Sequence, residues 1–393
     1  MTEKLLVTFN AGSSTVKIGL FALRGDGPRR IGKGIIDFRA LPLRFRLIEG
    51  PDTFDIALEA KSDDELVIVL EEAFRRLSWH FDLGSVVAMG HRIVHGGDSF
   101  DAQVRVDDAV MKTLEALVPL APLHQPQGLG LIRAIRQLRP ELPQTASFDT
   151  AFHRTQADLV RRFAIPRAMH DQGIKRYGFH GLSYRFIAGE LARREPELAH
   201  GRVVVAHLGS GASLCGLEGG LSRDSSMGFS ALDGIPMATR CGALDPGVLL
   251  HLLAQGYDAR RLEDLLYRRS GLLGVSGISA DSRDLLDSGK PEAQEALDLF
   301  CLRIAGEVAR LSATLGGLDA VVFTAGIGEH QPEIRADVAR RLNWLGLELD
   351  ETANAASATR ISTAGTRVAV CVIPTDEEAV IAEDALAVVK AAN

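Results

Sequence analysis

The sequence has no apolar run near the roughly 18 to 20 residues that a membrane span requires, and membrane insertion is not expected. Cysteine is scarce. Cys215, Cys241, Cys301 and Cys371 lie far apart and form no CxxC pair, so neither a zinc site nor a disulfide framework is expected, and a reducing cytoplasm is the expected location. Positive charge is not in excess either: 44 basic against 51 acidic residues leave a formal net charge of −7. No global field draws the chain onto nucleic acid or an anionic membrane, and any anion site must be built locally. The opening MTEKLLVTFNAG runs from a short charged start straight into a strand pattern, so no export signal is expected.

What is present is an ordinary globular composition, 46% hydrophobic and 24% charged over 393 residues, a length that favours two lobes. Short β-branched runs at residues 4–10, 203–208 and 320–325 predict buried strands ending in glycine turns. Between them, residues 65–77 and 292–315 carry helical periodicity, the second with Leu297, Phe300, Ile304, Val308, Leu311 and Leu315 in one stripe. The alternation predicts α/β architecture. A weak internal repeat, LVTFNAGSSTVKIGLF against VVVAHLGSGASLCGLE, aligns Gly12 with Gly211 and Ser14 with Ser213. It predicts two similar lobes with a cleft between them. The amphipathic stretch 376–392 is expected to pack back onto the first lobe.

Residues 10–17 place Gly12 among the hydroxyls of Ser13, Ser14 and Thr15, followed by the cation Lys17. Glycine lets backbone N–H groups approach an anion closely. A plain Gly-Ser hairpin needs no ligand, but the pattern recurs at HLGSGAS, residues 207–213. A third glycine turn, FTAGIGEH at 323–330, is expected to follow a buried strand and precede a helix, which is a ready anion site. Two other matches fail. GPRRIGKG at 27–34 has Gly34 where a P-loop needs Ser or Thr, and reads as a basic hairpin turn. AGIGEH lacks the third glycine of the dinucleotide fingerprint.

Cationic clusters complete the pattern. GHRIVHGG (90–97) sets Arg92 between two histidines, and a guanidinium grips carboxylate or phosphate through paired hydrogen bonds. RYGFHG (176–181) carries His180 between glycines, and the aperiodic segment 226–247 carries Arg240; long irregular loops are usually functional. Three cationic clusters and three glycine turns in an acidic chain suit phosphoryl transfer, which needs positioning and cations around the transferred group.

The motifs NAGSSTVK, GHRIVHGG, PLHQP, FDTAFH, RYGFHG, HLGSGAS, SMGF with TRCG, FTAGIGE and IPTDEE, in this order over nearly the whole chain, resemble the acetate kinase family. That family lies within the sugar kinase, Hsp70 and actin group. The resemblance implies two duplicated ribonuclease H-like lobes of the actin-like ATPase fold with an interlobe cleft. Residues 1–149 with 376–393 would form the substrate-side lobe, and residues 150–375 the lobe for nucleotide and dimerisation. It implies reversible, direct in-line transfer between ATP and acetate in a homodimer that binds neither nucleic acid nor membrane.

By the same resemblance, Asn10 and Glu377 would hold Mg2+, with Mn2+ able to replace it, and Ser13, Thr15 and Lys17 would organise the first phosphate loop. Arg92 would clamp the acid, Arg240 and His180 would stabilise the moving phosphoryl group, and Asp149 would orient them. Val94, Leu123, His124, Phe179 and Ala231 would line the acid's pocket. ATP or ADP would meet Lys17, His207, Leu208, Gly209, Ser210 and Gly211, then Asp281, Ser282 and Arg283, then Ala325, Gly326, Ile327, Gly328 and Glu329. Several positions depart from the family motif: Thr15 for Ser, Ser210 for Asn, Tyr184 for His, Ala243 for an acid, and Ala231 for Pro. The last implies room for a longer acid, so propionate kinase is the near alternative. An ATP-driven binding protein of the actin or Hsp70 type is the alternative from another class.

Overall fold

Strand β1 (Leu5–Ala11) is buried along all but its last residue, as befits a strand covered on both faces. The computed structural model that shows this describes residues 3–12, 15–25 and 27–391. The chain divides into two units, Met1–Phe152 with Asp376–Asn393, and His153–Thr375.

In the first unit β1 is followed by β2 (Thr15–Arg24), β3 (Gly27–Asp37), β4 (Arg44–Glu49) and β5 (Asp52–Ala57), an antiparallel meander. Strands β6 (Val86–Ile93), β7 (Val104–Arg105) and β8 (Gln144–Phe148) then complete the order β5-β4-β3-β2-β1-β6-β8-β7, with β1, β6 and β8 mutually parallel. Helix Leu66–Leu77 makes the first crossover. It buries Val69, Leu70, Ala73 and Leu77 against Phe9, Ile18 and Leu20, at about 2 kcal/mol for each large side chain.

The other face is covered by helix Glu377–Ala391, whose Ala382 and Ala385 pack on Leu6, Phe21 and Ala88. Its approach is close because the sheet offers glycines there. A Cβ on Gly90 would stand 2.7 Å from Ile381, and one on Gly19 would stand 3.3 Å from the Cβ of Glu378. The C-terminal segment thus packs on the first unit's sheet, as its amphipathic pattern leads one to expect.

In the second unit β9 (Arg202–Leu208), β10 (Ala212–Glu218), β11 (Leu221–Ser225), β12 (Ala320–Thr324) and β13 (Ala369–Val372) form the order β11-β10-β9-β12-β13. Here too the first three are antiparallel and the last two join parallel on the far side of the first. The same arrangement is β3-β2-β1-β6-β8 in the first unit, so the expected duplication is present in the topology. Helix Pro291–Leu315 buries the whole stripe from Leu297 to Leu315 and ends at Gly316 in the left-handed conformation. No helix among the described residues is long and apolar enough to cross a membrane.

Three local expectations fail. GPRRIGKG is not a turn: it opens strand β3, where the absent side chains of Gly32 and Gly34 leave room for the rings of Phe81 and Phe45. AGIGEH is not a turn: it forms a short helix of its own, Ala325–His330, ahead of the helix Pro332–Arg341. A Cβ on Gly328 would press on the backbone of Phe323 at 3.3 Å, so that glycine serves close helix-to-sheet packing. The repeat is also offset from the sequence alignment. Ala11 pairs with Val16 but Leu208 pairs with Ala212, so the first turn is one residue longer. Gly12 therefore corresponds to Gly209, which leaves β9, and Gly211 instead enters β10.

Candidate active site

In the first unit the candidate side chains stand at the carboxyl ends of parallel strands, where open α/β sheets place their ligands. Asn10 is near the end of β1, Arg92 is near the end of β6, and Asp149 directly follows β8. Arg92 gives Nε to Asp149 Oδ1 at 3.0 Å, Nη2 to Asp149 Oδ2 at 2.6 Å, and Nη1 to Asn10 Oδ1 at 3.0 Å. Asn10 in turn donates Nδ2 to Glu377 at 2.7 Å and to Glu378 at 3.1 Å. Burial by itself would lower the guanidinium's proton affinity, but Asp149 and Glu377 outweigh it, and the Arg92 pKa is raised. The arginine is a fixed cation.

Lys17 pairs across the hairpin with Asn10, so the two project from one face; Lys17 is exposed and Thr15 half-buried. Ser13 lies outside the described residues. Val94 follows Arg92 by two positions and is buried. Leu123 and His124 come just before helix Gln125–Leu138. Gln125 holds that helix start to the arginine segment, accepting from the N–H of His95 at 3.1 Å and donating to its carbonyl at 3.0 Å.

The second unit collects His180, Arg240 and the β9–β10 turn. A Cβ built on Gly211 would lie 3.6 Å from His180 Nε2 and 3.7 Å from Arg240 Nη1. The imidazole and the guanidinium therefore converge on one small space that only glycine leaves open. Arg240 Nη1 also donates to the carbonyl of Ala231 at 3.0 Å, which ties it to the irregular segment that Arg176 holds through the carbonyls of Ser225 and Ser226. His207 stacks on His180, with centroids 4.3 Å apart and planes at 18°. Phe179 is buried, and its carbonyl accepts from His153 Nε2 at 2.9 Å.

Leu208 is buried, whereas Gly209 and Gly211 are half-buried and Ser210 is exposed at the turn. Asp281 caps helix Ser282–Ser288 and pairs with the exposed Arg283; buried Ser282 accepts from Gln331. In helix Ala325–His330, which includes Gly326, Ile327 and Gly328, Glu329 Oε1 accepts from the N–H of Ala325 at 2.7 Å and of Thr375 at 3.1 Å. The carboxylate thus satisfies the first N–H of its own helix.

Sequence reasoning gave no role to His153, Ser183, Tyr184, Ser213 or Thr375. All five brace His180 or its stacking partner His207, directly or through a neighbour. A signal existed for two: Ser213 lies in the repeated motif, and Tyr184 lies one helical turn after His180.

The acetokinase family model matches residues 4–383. An acetate kinase from Methylocella silvestris is 45% identical over 395 residues, covering 98% of each chain. One from Rhodopseudomonas palustris is 48% identical over 394 residues, covering 97% of each. Among solved structures, a propionate kinase from Francisella tularensis matches with a TM-score of 0.90 at 33% identity, covering 98% of this chain and 99% of that one. The acetate kinase of Porphyromonas gingivalis matches at 0.89 and 33%, covering 98% and 100%. With matches over nearly the whole chain on every count, the chain belongs to the acetokinase family.

Proposed function

We propose that the chain transfers a phosphoryl group reversibly between ATP and acetate, giving ADP and acetyl phosphate. The observation that carries this is the convergence of His180 Nε2 and Arg240 Nη1 on the space beside Gly211, a pair of donors suited to phosphoryl oxygens. A carboxylic acid is ionised near pH 7, so its oxygen can attack the γ-phosphorus directly as the bond to ADP breaks. No general base is required. Asp149 supports that view, because both its oxygens are taken up by Arg92: it orients the arginine that receives the acid.

Asn10 Nδ2 holds the carboxylates of Glu377 and Glu378 together, and carboxylate oxygen is the ligand magnesium prefers, with manganese accepting the same ligands. When bound, the ion would supply charge neutralisation for the transferring phosphate. Asn10 and Glu377 are its proposed protein ligands. Lys17 and the β9–β10 turn, residues 281–283 and residues 325–329 are the proposed nucleotide contacts.

Self-association is also proposed. Helix Pro246–Ala254 in the second unit buries none of its residues, and Leu250 and Leu253 on it are 68% and 48% exposed, a large apolar surface for a lone chain. Free, mostly buried cysteines suit a reducing cytoplasm.

Trapping the product with hydroxylamine tests the reading. Hydroxamate that forms only with acetate, ATP and magnesium supports it, whereas phosphate release independent of acetate points to an ATP-driven binding protein. Propionate is the second reading, favoured by the small side chain of Ala231, the residue whose carbonyl accepts from Arg240. One buried methylene is worth about 0.8 kcal/mol, so kcat/KM for the two acids should differ modestly. A preference for butyrate over both would overturn the assignment.

A further inference from the structure

His180 is held in an unusual way. It precedes helix Gly181–Arg194 in the left-handed conformation, with φ 56° and ψ 24°, a strained choice for a residue with a side chain. Its Nδ1 meets Ser213 Oγ at 2.8 Å. Tyr184, one turn further along the same helix face, directs its hydroxyl to the same Ser213 oxygen at 2.5 Å. Tyr184 and Ser213 are both fully buried.

The chain of groups has a preferred direction. A phenol is a better donor than acceptor, so Tyr184 gives its proton to Ser213 Oγ. Ser213, with that lone pair engaged, turns its own single proton onto His180 Nδ1. Nδ1 is then the acceptor, and a neutral imidazole must carry its proton on Nε2. Nε2 is the atom that shares the space beside Gly211 with Arg240 Nη1.

A second set of contacts fixes the ring from its face. His207 stacks on it, and His207 Nδ1 is tied to Ser183 Oγ at 2.8 Å, which reaches Thr375 Oγ1 at 2.9 Å. His153 holds the carbonyl of the preceding Phe179.

We propose that Tyr184 and Ser213 are positioning residues that fix the proton of neutral His180 on Nε2, so that the imidazole donates into the space it shares with Arg240. In the transfer, that N–H would hydrogen-bond a phosphoryl oxygen and keep its proton throughout; no proton moves. The inference rests on the proposed role of His180 in phosphoryl transfer, but the tautomer can be read without turnover.

The experiment is nitrogen NMR of the full-length protein with 15N-labelled histidine, His180 being assigned by the loss of its signals in His180→Asn. Above the imidazole's titration range, protonated Nε2 and bare Nδ1 are expected. Nδ1 carrying the proton in the unmodified protein overturns the proposal, whether or not any variant folds. Tyr184→Phe removes one oxygen. It is expected to shift His180 towards a mixture of tautomers and to lower kcat about tenfold or more, with KM for ATP and acetate little changed. An unaltered tautomer with kcat within twofold of the parent overturns the role given to Tyr184, and Ser213→Ala is read by the same two criteria. If the unmodified protein makes no hydroxamate but shows the Nε2 tautomer, the functional assignment fails and the tautomer relay stands.

Discussion

The guanidinium of Arg92 meets the carboxylate of Asp149 edge to edge, Nε on one oxygen at 3.0 Å and Nη2 on the other at 2.6 Å. Asp149 is almost wholly buried, and the side chain of Arg92 is 14% exposed. The pair fixes the plane of the guanidinium and directs Nη1 to Asn10.

Replacing Asp149 with Asn keeps the shape and removes the charge. The amide offers one oxygen where two were used, and its NH2 opposes a donor. The expected result is a fall in kcat/KM for acetate of about a hundredfold, the scale of a misplaced reacting group. Breaking a buried pair also destabilises by about 3 to 5 kcal/mol, to be read as a lower urea midpoint at unchanged slope. Full-rate transfer in this variant would remove Asp149 from the mechanism.

Gly211→Ala tests the second unit without disturbing its fold. The new methyl would make ordinary contacts at 3.6 and 3.7 Å with His180 Nε2 and Arg240 Nη1, and Gly211 is not among the glycines at positive φ. Thermal stability should be unchanged. Turnover should fall by one to two orders of magnitude, because the methyl fills the space proposed for a phosphoryl oxygen. Gly271→Ala is the contrasting case. Its φ is +63° and a Cβ there would lie 2.0 Å from the carbonyl of Met237, so melting temperature should drop. Wild-type turnover in Gly211→Ala would mean that the space between the two donors is not used.

Much of this was legible in the sequence, and what was missed has a common physical cause. Strand cores such as residues 203–208 and the apolar stripe of Pro291–Leu315 announce themselves, because periodicity along the chain is what burial selects. Arg92, His180 and Arg240 are flagged by charge among glycines. GPRRIGKG misled because glycine in a strand reads locally as a turn, and only the rings of Phe81 and Phe45, distant in sequence, show why it is there. Ser213 and Tyr184, legible only as a repeat position and a departure from the family motif, gained no role from the sequence for a similar reason. Their importance lies in a shared contact with His180, and a serine in a strand or a tyrosine in a helix carries no local mark of it.

Three buried histidines make stability depend on pH. Burial pushes the pKa of His91 down to about 4, with Gln144 opposing it in part. Burial does the same to His95, where Asp98 opposes, and to His153, where the Phe179 carbonyl opposes; both also fall to about 4. The unfolded chain takes up these protons near pH 6.5, whereas the folded chain resists until about pH 4. The unfolded state therefore binds more protons between those values, and folding stability is lost as pH falls through that window. Each histidine contributes a slope of up to about 1.4 kcal/mol per pH unit. Urea unfolding of His91→Leu from pH 4 to 7 should show a shallower slope by about that amount, whatever the variant does to absolute stability. An unchanged slope would mean that His91 titrates normally in the fold.

Helix Pro246–Ala254 supplies the last test. Its sequence PGVLLHLLA is almost wholly apolar, yet no residue in it is buried. Leu244, Val248, Leu250 and Leu253 are exposed at 42%, 39%, 68% and 48%, and Asp245 caps the helix start by accepting from the N–H of Gly247. A capped, regular helix that leaves leucines in water lacks the burial that usually stabilises helices in proteins. A second copy of the chain would provide that burial. Leu250→Glu places a charge where such an interface would close, and desolvating an unpaired carboxylate costs several kcal/mol. Sedimentation should therefore show a dimer for the parent and a monomer for the variant at micromolar concentration. A parent that sediments as a monomer would leave the exposed leucines without the partner proposed for them, and an unchanged dimer in the variant would place the interface elsewhere.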